Sequence, residues 1–252
     1  MNKEEIQNKY IDLRQGDCLE VMKYIPDKSI DLVVTDCPYK IVQGGCTTGA
    51  YGNKKGCGKC SAKWETKGQL YNLDNLKSGK LFDNNEIEFK DWLPDLYRIL
   101  KDGTHCYIMI NARNLKELQQ EAENVGFKYQ NILVWKKNNA TPNRYYLNNC
   151  EFILMLRKDK ARNINNMGTK NILEIPNIIG KKKHPTEKPV ELMKILIENS
   201  SNEGDIVIDP FMGVGATGVA CKELNRNFIG IEIDENYYKI AKERIDNVSN
   251  SK

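Results

Sequence analysis

Short β-favouring runs alternate along this chain with amphipathic helical stretches, and that alternation leaves few folds open. Ser29-Ile-Asp-Leu-Val-Val-Thr35 is nearly continuous in β-favouring residues, which is the pattern of a strand buried on both faces. Further strands are predicted at Tyr10–Arg14, His105–Ile110, Asn131–Lys136, Glu151–Arg157, Asp205–Asp209 and Asn227–Glu232. Between them lie helical stripes. A short turn carries Leu19, Val21, Met22 and Ile25 and closes at Pro26; Asn84–Lys101 carries Ile87, Trp92, Leu93, Leu96, Ile99 and Leu100, and breaks at Asp102-Gly103. A third stripe has Leu115, Leu118, Ala122 and Val125 on one face and Gly126 placed to end it. Later helices run from Glu191 to about Glu198, over Ala216–Leu224, and onward from Asp234. Such interleaving predicts an α/β fold, a mostly parallel sheet with helices on both faces.

Length and composition fit one such unit. A chain of 252 residues can bury a full core without disulfides or metal, and 40% hydrophobic with 29% charged residues describes a globular protein. No apolar run is long enough to span a membrane, and the charged start Met-Asn-Lys-Glu-Glu lacks a secretory core, so a cytoplasmic protein with its eight cysteines reduced is expected. Two histidines, His105 and His184, cannot build a multi-histidine metal site and argue against a serine–histidine triad.

The net charge of +4 conceals an uneven distribution. Residues 136–183 hold eleven Lys/Arg against three Asp/Glu, and residues 40–67 hold six lysines against Glu65, which leaves the rest of the chain at −9. A basic face on an acidic globule suits a polyanion, although basic loops also serve solubility alone.

Two turns carry the chemistry. Asp209-Pro-Phe-Met-Gly-Val-Gly215 joins a buried strand to a helix, and its glycines let a ligand approach the backbone over the end of the sheet. Glu232 closes the next strand, where a carboxylate can accept both hydroxyl protons of a ribose. A dinucleotide site competes, but Pro210 and Phe211 interrupt the usual pyrophosphate pattern, and glycines also simply punctuate turns. Asp36-Cys37-Pro38-Tyr39 also ends a buried strand, with a carboxylate, a backbone carbonyl before proline and an aromatic face that suit an extruded base; an ordinary strand-end turn reads the same way.

Taken together, the two turns resemble the S-adenosylmethionine-dependent amino-methyltransferases of DNA, in the permuted order called the β class. Asp36-Cys37-Pro38-Tyr39 is similar to the family's catalytic Asp-Pro-Pro-Tyr, and Phe211-Met-Gly-Val-Gly215 to its Phe-x-Gly-x-Gly cofactor loop. His184-Pro-Thr-Glu-Lys-Pro189 resembles the element that embraces the methionine end of the cofactor. The resemblance spans nearly the whole chain. It implies a circularly permuted Rossmann-like sheet, with residues 205–232 as the first two strands of the unpermuted order and Tyr10–Arg14 as the third, which puts Asp17 and Cys18 beside the cofactor's adenine; Asp17 also suits a plain helix N-cap.

Site roles follow from the resemblance. Asp36 and the Cys37 carbonyl would accept the two amino hydrogens, Pro38 would hold that carbonyl, Tyr39 would stack on the base, and Asp17, Cys18, Thr186, Lys188, Asp209, Phe211, Gly213, Gly215 and Glu232 would bind S-adenosyl-L-methionine. Cysteine replaces the family's usual proline at 37, a change a main-chain role tolerates; a nucleophilic Cys37 would need an electropositive setting. Aspartate at the head of the tetrapeptide favours adenine N6 over cytosine N4. RNA, a protein amide or an inactive nucleic-acid-binding module are the alternatives. Double-stranded DNA is the expected partner, a homodimer is expected by analogy, and the motifs do not bear on a restriction endonuclease partner. One domain is expected over 1–252, with a loop insertion at 40–80 and target recognition at 138–183, where Arg144, Tyr145 and Tyr146 join charge to aromatic area. Cys46, Cys57 and Cys60 lack a fourth zinc ligand, so no metal is expected.

Overall fold

The computed structural model describes residues 10–38, 87–141, 146–160, 162–178 and 187–248. In chain order the described elements are β1 (Ile11–Gln15), α1 (Cys18–Met22), β2 (Ile30–Asp36), α2 (Phe89–Ile99), β3 (Leu100–Ile110), α3 (Leu115–Val125), β4 (Lys128–Thr141), β5 (Asn148–Arg157), β6 (Ile172–Glu174), α4 (Val190–Ser200), β7 (Ile206–Asp209), α5 (Ala216–Glu223), β8 (Asn227–Glu232) and α6 (Glu235–Asp246). The eight strands form one sheet in the order β1-β8-β7-β2-β3-β5-β4-β6. From β1 to β3 every pairing is parallel; β5 runs antiparallel to both β3 and β4, and β6 is parallel to β4.

The two strands nearest the C-terminus therefore sit between β1 and β2, the arrangement a circular permutation produces. Gln15 lies opposite Glu232 in the β1–β8 register, so Tyr10–Arg14 falls where the permuted order requires the third strand. The continuous apolar character of β2 has its cause here: Ile30 and Val33 enter a core under α1, α2 and α3, while Leu32 and Val34 enter a second core under α4, α5 and α6. A strand covered on both faces needs apolar residues on each, and β2 carries them at Ile30, Leu32, Val33 and Val34.

Several elements depart from the expected bounds. The strand expected at His105–Ile110 begins at Leu100, directly after α2, with Leu100 opposite Ile30. Gly103 lies inside the strand at φ 78°, and the β2–β3 register shifts between Ile30 and Leu32, so Asp102-Gly103 bends a strand where a loop was expected. Lys158, 4% exposed, donates from Nζ to the carbonyls of Tyr97 and Leu100 at 2.7 Å each. It thereby satisfies acceptors that the end of α2 would otherwise leave open. Gly126 ends α3 as expected, at φ 118°, with its N–H on the carbonyls of Ala122 and Glu123. Strand β6 was absent from the expected set because residues 158–183 show no period; it is held at the edge by β4, and the Trp135 indole N–H donates to the Ile175 carbonyl at 2.9 Å. Among the described residues no helix is long and apolar enough to cross a membrane.

Candidate active site

The carboxyl ends of β2 and β7 are neighbours at the point where the chain turns from one half of the sheet to the other, the place where open α/β sheets bind ligands. A hydrogen-bond centre joins them. The Thr35 hydroxyl donates to Asp209 Oδ1 at 2.7 Å, the Thr217 hydroxyl to Oδ2 at 2.7 Å, and the Phe211 N–H to Oδ1 at 3.1 Å. Asp209 is buried, and that burial pushes its carboxyl up to about 6 although the three donors pull it back. One carboxylate thus ties β2, the glycine-rich turn and the first turn of α5 together.

Within that turn Gly213 sits at φ 52° and Gly215 at φ 81°, both in the left-handed region. A Cβ on Gly213 would meet nothing within 4 Å, so its backbone faces open space, whereas one on Gly215 would lie 3.0 Å from Ala241 Cβ. The Gly213 N–H donates to Glu232 Oε2 and the Asp234 N–H to Oε1, each at 2.8 Å. Burial raises the Glu232 carboxyl, and these backbone donors oppose it. Next to Glu232, Gly16 donates its N–H to the Glu232 carbonyl at 2.9 Å, and Asp17 follows at once. Asp17 caps α1, accepting the Leu19 N–H at 2.9 Å, and Cys18 is buried with its thiol pushed to about 12 by that burial and by Asp17.

On the β2 side, Asp36 Oδ2 is 2.5 Å from Lys188 Nζ, and Lys188 is 3.4 Å from Glu151 Oε2. Lys137 closes the row at 2.6 Å from Glu151 Oε1. Burial pushes the Asp36 carboxyl up, with Lys188 opposing it and Glu151 adding to it. Burial also pushes Glu151 up, but Lys188 and Lys137 together bring it below its ordinary value. Cys37 is buried with Sγ 3.6 Å from the Met109 carbonyl; burial, reinforced by the charge of Asp36, holds its thiol well above the ordinary range. Burial of this kind disfavours the thiolate that a nucleophilic cysteine needs. Pro38, directly after Cys37, is half-buried.

Glu187 and Lys188 face different partners. While Lys188 reaches Asp36, Glu187 pairs with Arg244 of α6 at 2.9 Å, and Arg244 also donates to the Val214 carbonyl at 2.7 Å. Phe211 packs edge-on against buried Trp92, 5.3 Å between centroids, and the Trp92 indole N–H has no acceptor among the described residues. Open space over Gly213, a half-buried carboxylate at the end of β8 and an aromatic pair at the turn fit an adenosyl group with a ribose diol.

Of the residues predicted from the sequence, Asp36, Cys37, Pro38, Lys188, Asp209, Phe211, Gly213, Gly215 and Glu232 lie along the adjoining ends of β2, β7 and β8, with Asp17 and Cys18 at the end of β1 beside them. Tyr39, Thr186, His184, Arg144, Tyr145, Cys46, Cys57 and Cys60 lie outside the described residues, as does the whole segment at 40–80. Among the described residues no group of three His, Cys, Asp or Glu is placed to hold a metal ion. Sequence reasoning missed Thr35, Thr217, Lys137, Glu151 and Arg244. Glu151 carried the one available signal, a charge at the head of an otherwise apolar strand.

Comparison with known proteins agrees with this architecture. The family model described as DNA methylase matches residues 30–243. The type II methyltransferase M2.DpnII of Streptococcus pneumoniae is 30% identical over 261 residues, covering 95% of this chain and 91% of that protein. M2.MboI of Moraxella bovis is 29% identical, covering 97% and 91%. Among solved structures, the M1.HpyAVI–SAM complex superposes with a TM-score of 0.66 at 28% identity, covering 93% of this chain and 99% of that one. The cytosine-N4-specific PvuII methyltransferase shares the fold, with a TM-score of 0.68 at 18% identity, covering 96% and 90%. The chain belongs to the N6/N4 DNA methylase family, with S-adenosylmethionine as its methyl donor and DNA as its substrate.

Proposed function

We propose that the chain methylates the N6 amine of adenine in double-stranded DNA. The observation that carries this reading is the adjacency of Asp36 to the cofactor turn through the Thr35–Asp209 hydrogen bond. When bound, S-adenosylmethionine supplies an electrophilic methyl group on a sulfonium. The residues of this chain then have only to bind, align and exclude water, which is where proximity catalysis acts.

Glu232 is the acceptor for the ribose hydroxyls, taking them in place of or beside the Gly213 N–H. Phe211, Gly213 and Gly215 form the wall of the turn, with Asp17 and Cys18 at the adenine end, and Thr186 belongs to the same binding element. Asp209 acts from beneath, since it is buried and its oxygens face Thr35, Thr217 and the Phe211 N–H. Asp36 and the Cys37 carbonyl accept the two hydrogens of the target amine, which turns the nitrogen lone pair toward the methyl group. Tyr39, following Pro38, supplies the stacking face for an extruded base. Aspartate at the head of the tetrapeptide supports adenine over the cytosine amine. The segment at 40–80 is proposed to close over the base, and 138–183 to read the target. Tyr146 and Leu147, 85% and 66% exposed between β4 and β5, support that role.

Labelled cofactor incubated with duplex DNA, single-stranded DNA and RNA, followed by digestion to nucleosides, tests the reading. N6-methyladenine in duplex DNA is the expected product, while label in N4-methylcytosine or RNA alone would overturn the choice of acceptor. Asp36→Asn should keep cofactor binding and lose methyl transfer by at least about a hundredfold. Because Asp36 must be ionised to accept the amine and burial raises it, the acid limb of kcat/KM should lie above the ordinary carboxylate range.

A further inference from the structure

Across the carboxyl edge of the sheet runs a row of alternating charges, Asp36 on β2, Lys188 before α4, Glu151 on β5 and Lys137 on β4. The ammonium of Lys188 holds Oδ2 of the Asp36 carboxylate at 2.5 Å, and that oxygen is closed to an amine while the contact lasts. Lys188 is only 6% exposed, so an ammonium that leaves Asp36 needs a carboxylate close at hand. Glu151 meets that need, because its Oε2 already lies 3.4 Å from the same ammonium.

We propose that Glu151 is a positioning residue of the transfer reaction: when the target amine reaches Asp36, Lys188 passes to Glu151, and the Asp36 carboxylate is released to the amine. The inference rests on the reading that Asp36 receives the amine, and deepens it. No covalent bond changes in the step; one hydrogen-bonded ammonium exchanges carboxylates. Lys137 stays on Glu151 Oε1 and keeps that carboxylate ionised, so a partner for Lys188 is ready before the base arrives. Among the described residues, the charged or titratable groups around Asp36 are Lys188, Glu151, Lys137, the buried Asp209 on β7 and the thiol of Cys37.

The test measures pH profiles of kcat/KM for duplex DNA in wild type, Glu151→Gln, Lys188→Met and the double variant, with cofactor affinity and Tm alongside. In Glu151→Gln the plateau rate should fall roughly tenfold or more, since Lys188 has lost its alternative seat. Its acid limb should move to lower pH, because the charge that raises Asp36 has gone, while cofactor affinity stays within about twofold of wild type. In the Lys188→Met background, Glu151→Gln should lower the plateau no further, because it acts through Lys188. A wild-type profile in Glu151→Gln, an equal loss in both backgrounds, or a uniform loss with weakened cofactor binding would each overturn the proposal. If Glu151→Gln melts below the assay temperature, Glu151→Asp takes its place; its shorter arm should give an intermediate plateau with the limb unmoved, and an unchanged plateau or a shifted limb overturns the idea. Wild type inactive on adenine would defeat the functional reading itself; active wild type with an indifferent Glu151→Gln defeats only this inference.

Discussion

At the residue scale, two glycines of the cofactor turn and its helix do different work, and substitution separates them. Gly213 is needed for its left-handed backbone, since an added Cβ meets open space. Gly213→Ala should therefore cost about 1–2 kcal/mol of strain and little packing. Gly218 is needed for its size: a Cβ there would lie 2.4 Å from Ile245 Cδ1 and 2.7 Å from the Phe228 ring. Gly218→Ala should cost about 1–3 kcal/mol through overpacking of α5 against α6 and β8. Urea denaturation of both variants measures the costs, and cofactor titration should show the larger loss for Gly213→Ala, the position that faces the open cradle. Asp36 and the glycines stood out in the sequence because their types and spacing form a local pattern. Glu151 did not, because a strand-end charge is common and its partner lies 37 positions further on, at Lys188.

At the element scale, α6 works as a clamp on the site although none of its residues belongs to either turn. Arg244 holds Glu187, beside Lys188, and the Val214 carbonyl, inside the glycine-rich turn. Arg244→Met should remove the ion pair to the buried Glu187 carboxylate and the hydrogen bond to the Val214 carbonyl, lowering stability by about 1–3 kcal/mol. Steady-state kinetics should then show KM for the cofactor raised about tenfold, with kcat for bound substrate changed less, as expected for a residue that shapes a binding site. The periodicity of residues 235–246 made this helix legible, but not which of its basic residues points inward. The start of β3 was hidden for a related reason: Asp102-Gly103 is a good turn signal locally, and only the pairing of Leu100 with Ile30 and the Gly103 N–H on the Lys158 carbonyl draw it into the strand.

For the whole molecule, charge and pH have to be read through burial. Several cations of the basic segment 136–183 serve the fold: Lys136 pairs with Glu174, Lys137 with Glu151, Arg162 binds the Ser200 carbonyl, and Lys158 is enclosed at the end of α2. Lys158→Met should thus lower Tm, at a cost of about 1–3 kcal/mol, and leave the salt dependence of DNA affinity unchanged. Two buried groups act on acid stability with opposite signs. His105, beside Ser200 Oγ at 3.0 Å, is lowered by burial to about 4, so its contribution is present above pH 6.5 and is lost as pH falls toward 4. Asp209 is raised to about 6, so it favours the folded state as pH falls through 6 toward 3.8. The two offset each other in wild type. Asp209→Asn, which can still hold both threonines, removes one of them; its Tm should fall more steeply than wild type between pH 6 and 4, and His105→Gln should show the reverse.

What the sequence determined by itself is what neighbouring residues encode: the alternation of buried strands and helices, the glycine turn, the tetrapeptide and the permuted order that unites them. These depend on backbone propensity and on side-chain periods of two or about four residues, which read along the chain. Tertiary structure decided the partners. Lys188 on Asp36, 152 positions apart, and Arg244 on Glu187 and Val214 follow from sheet order, register and helix packing. No local period carries that information, and the enclosed site makes each such pairing matter, because a charge removed from water must be met by another.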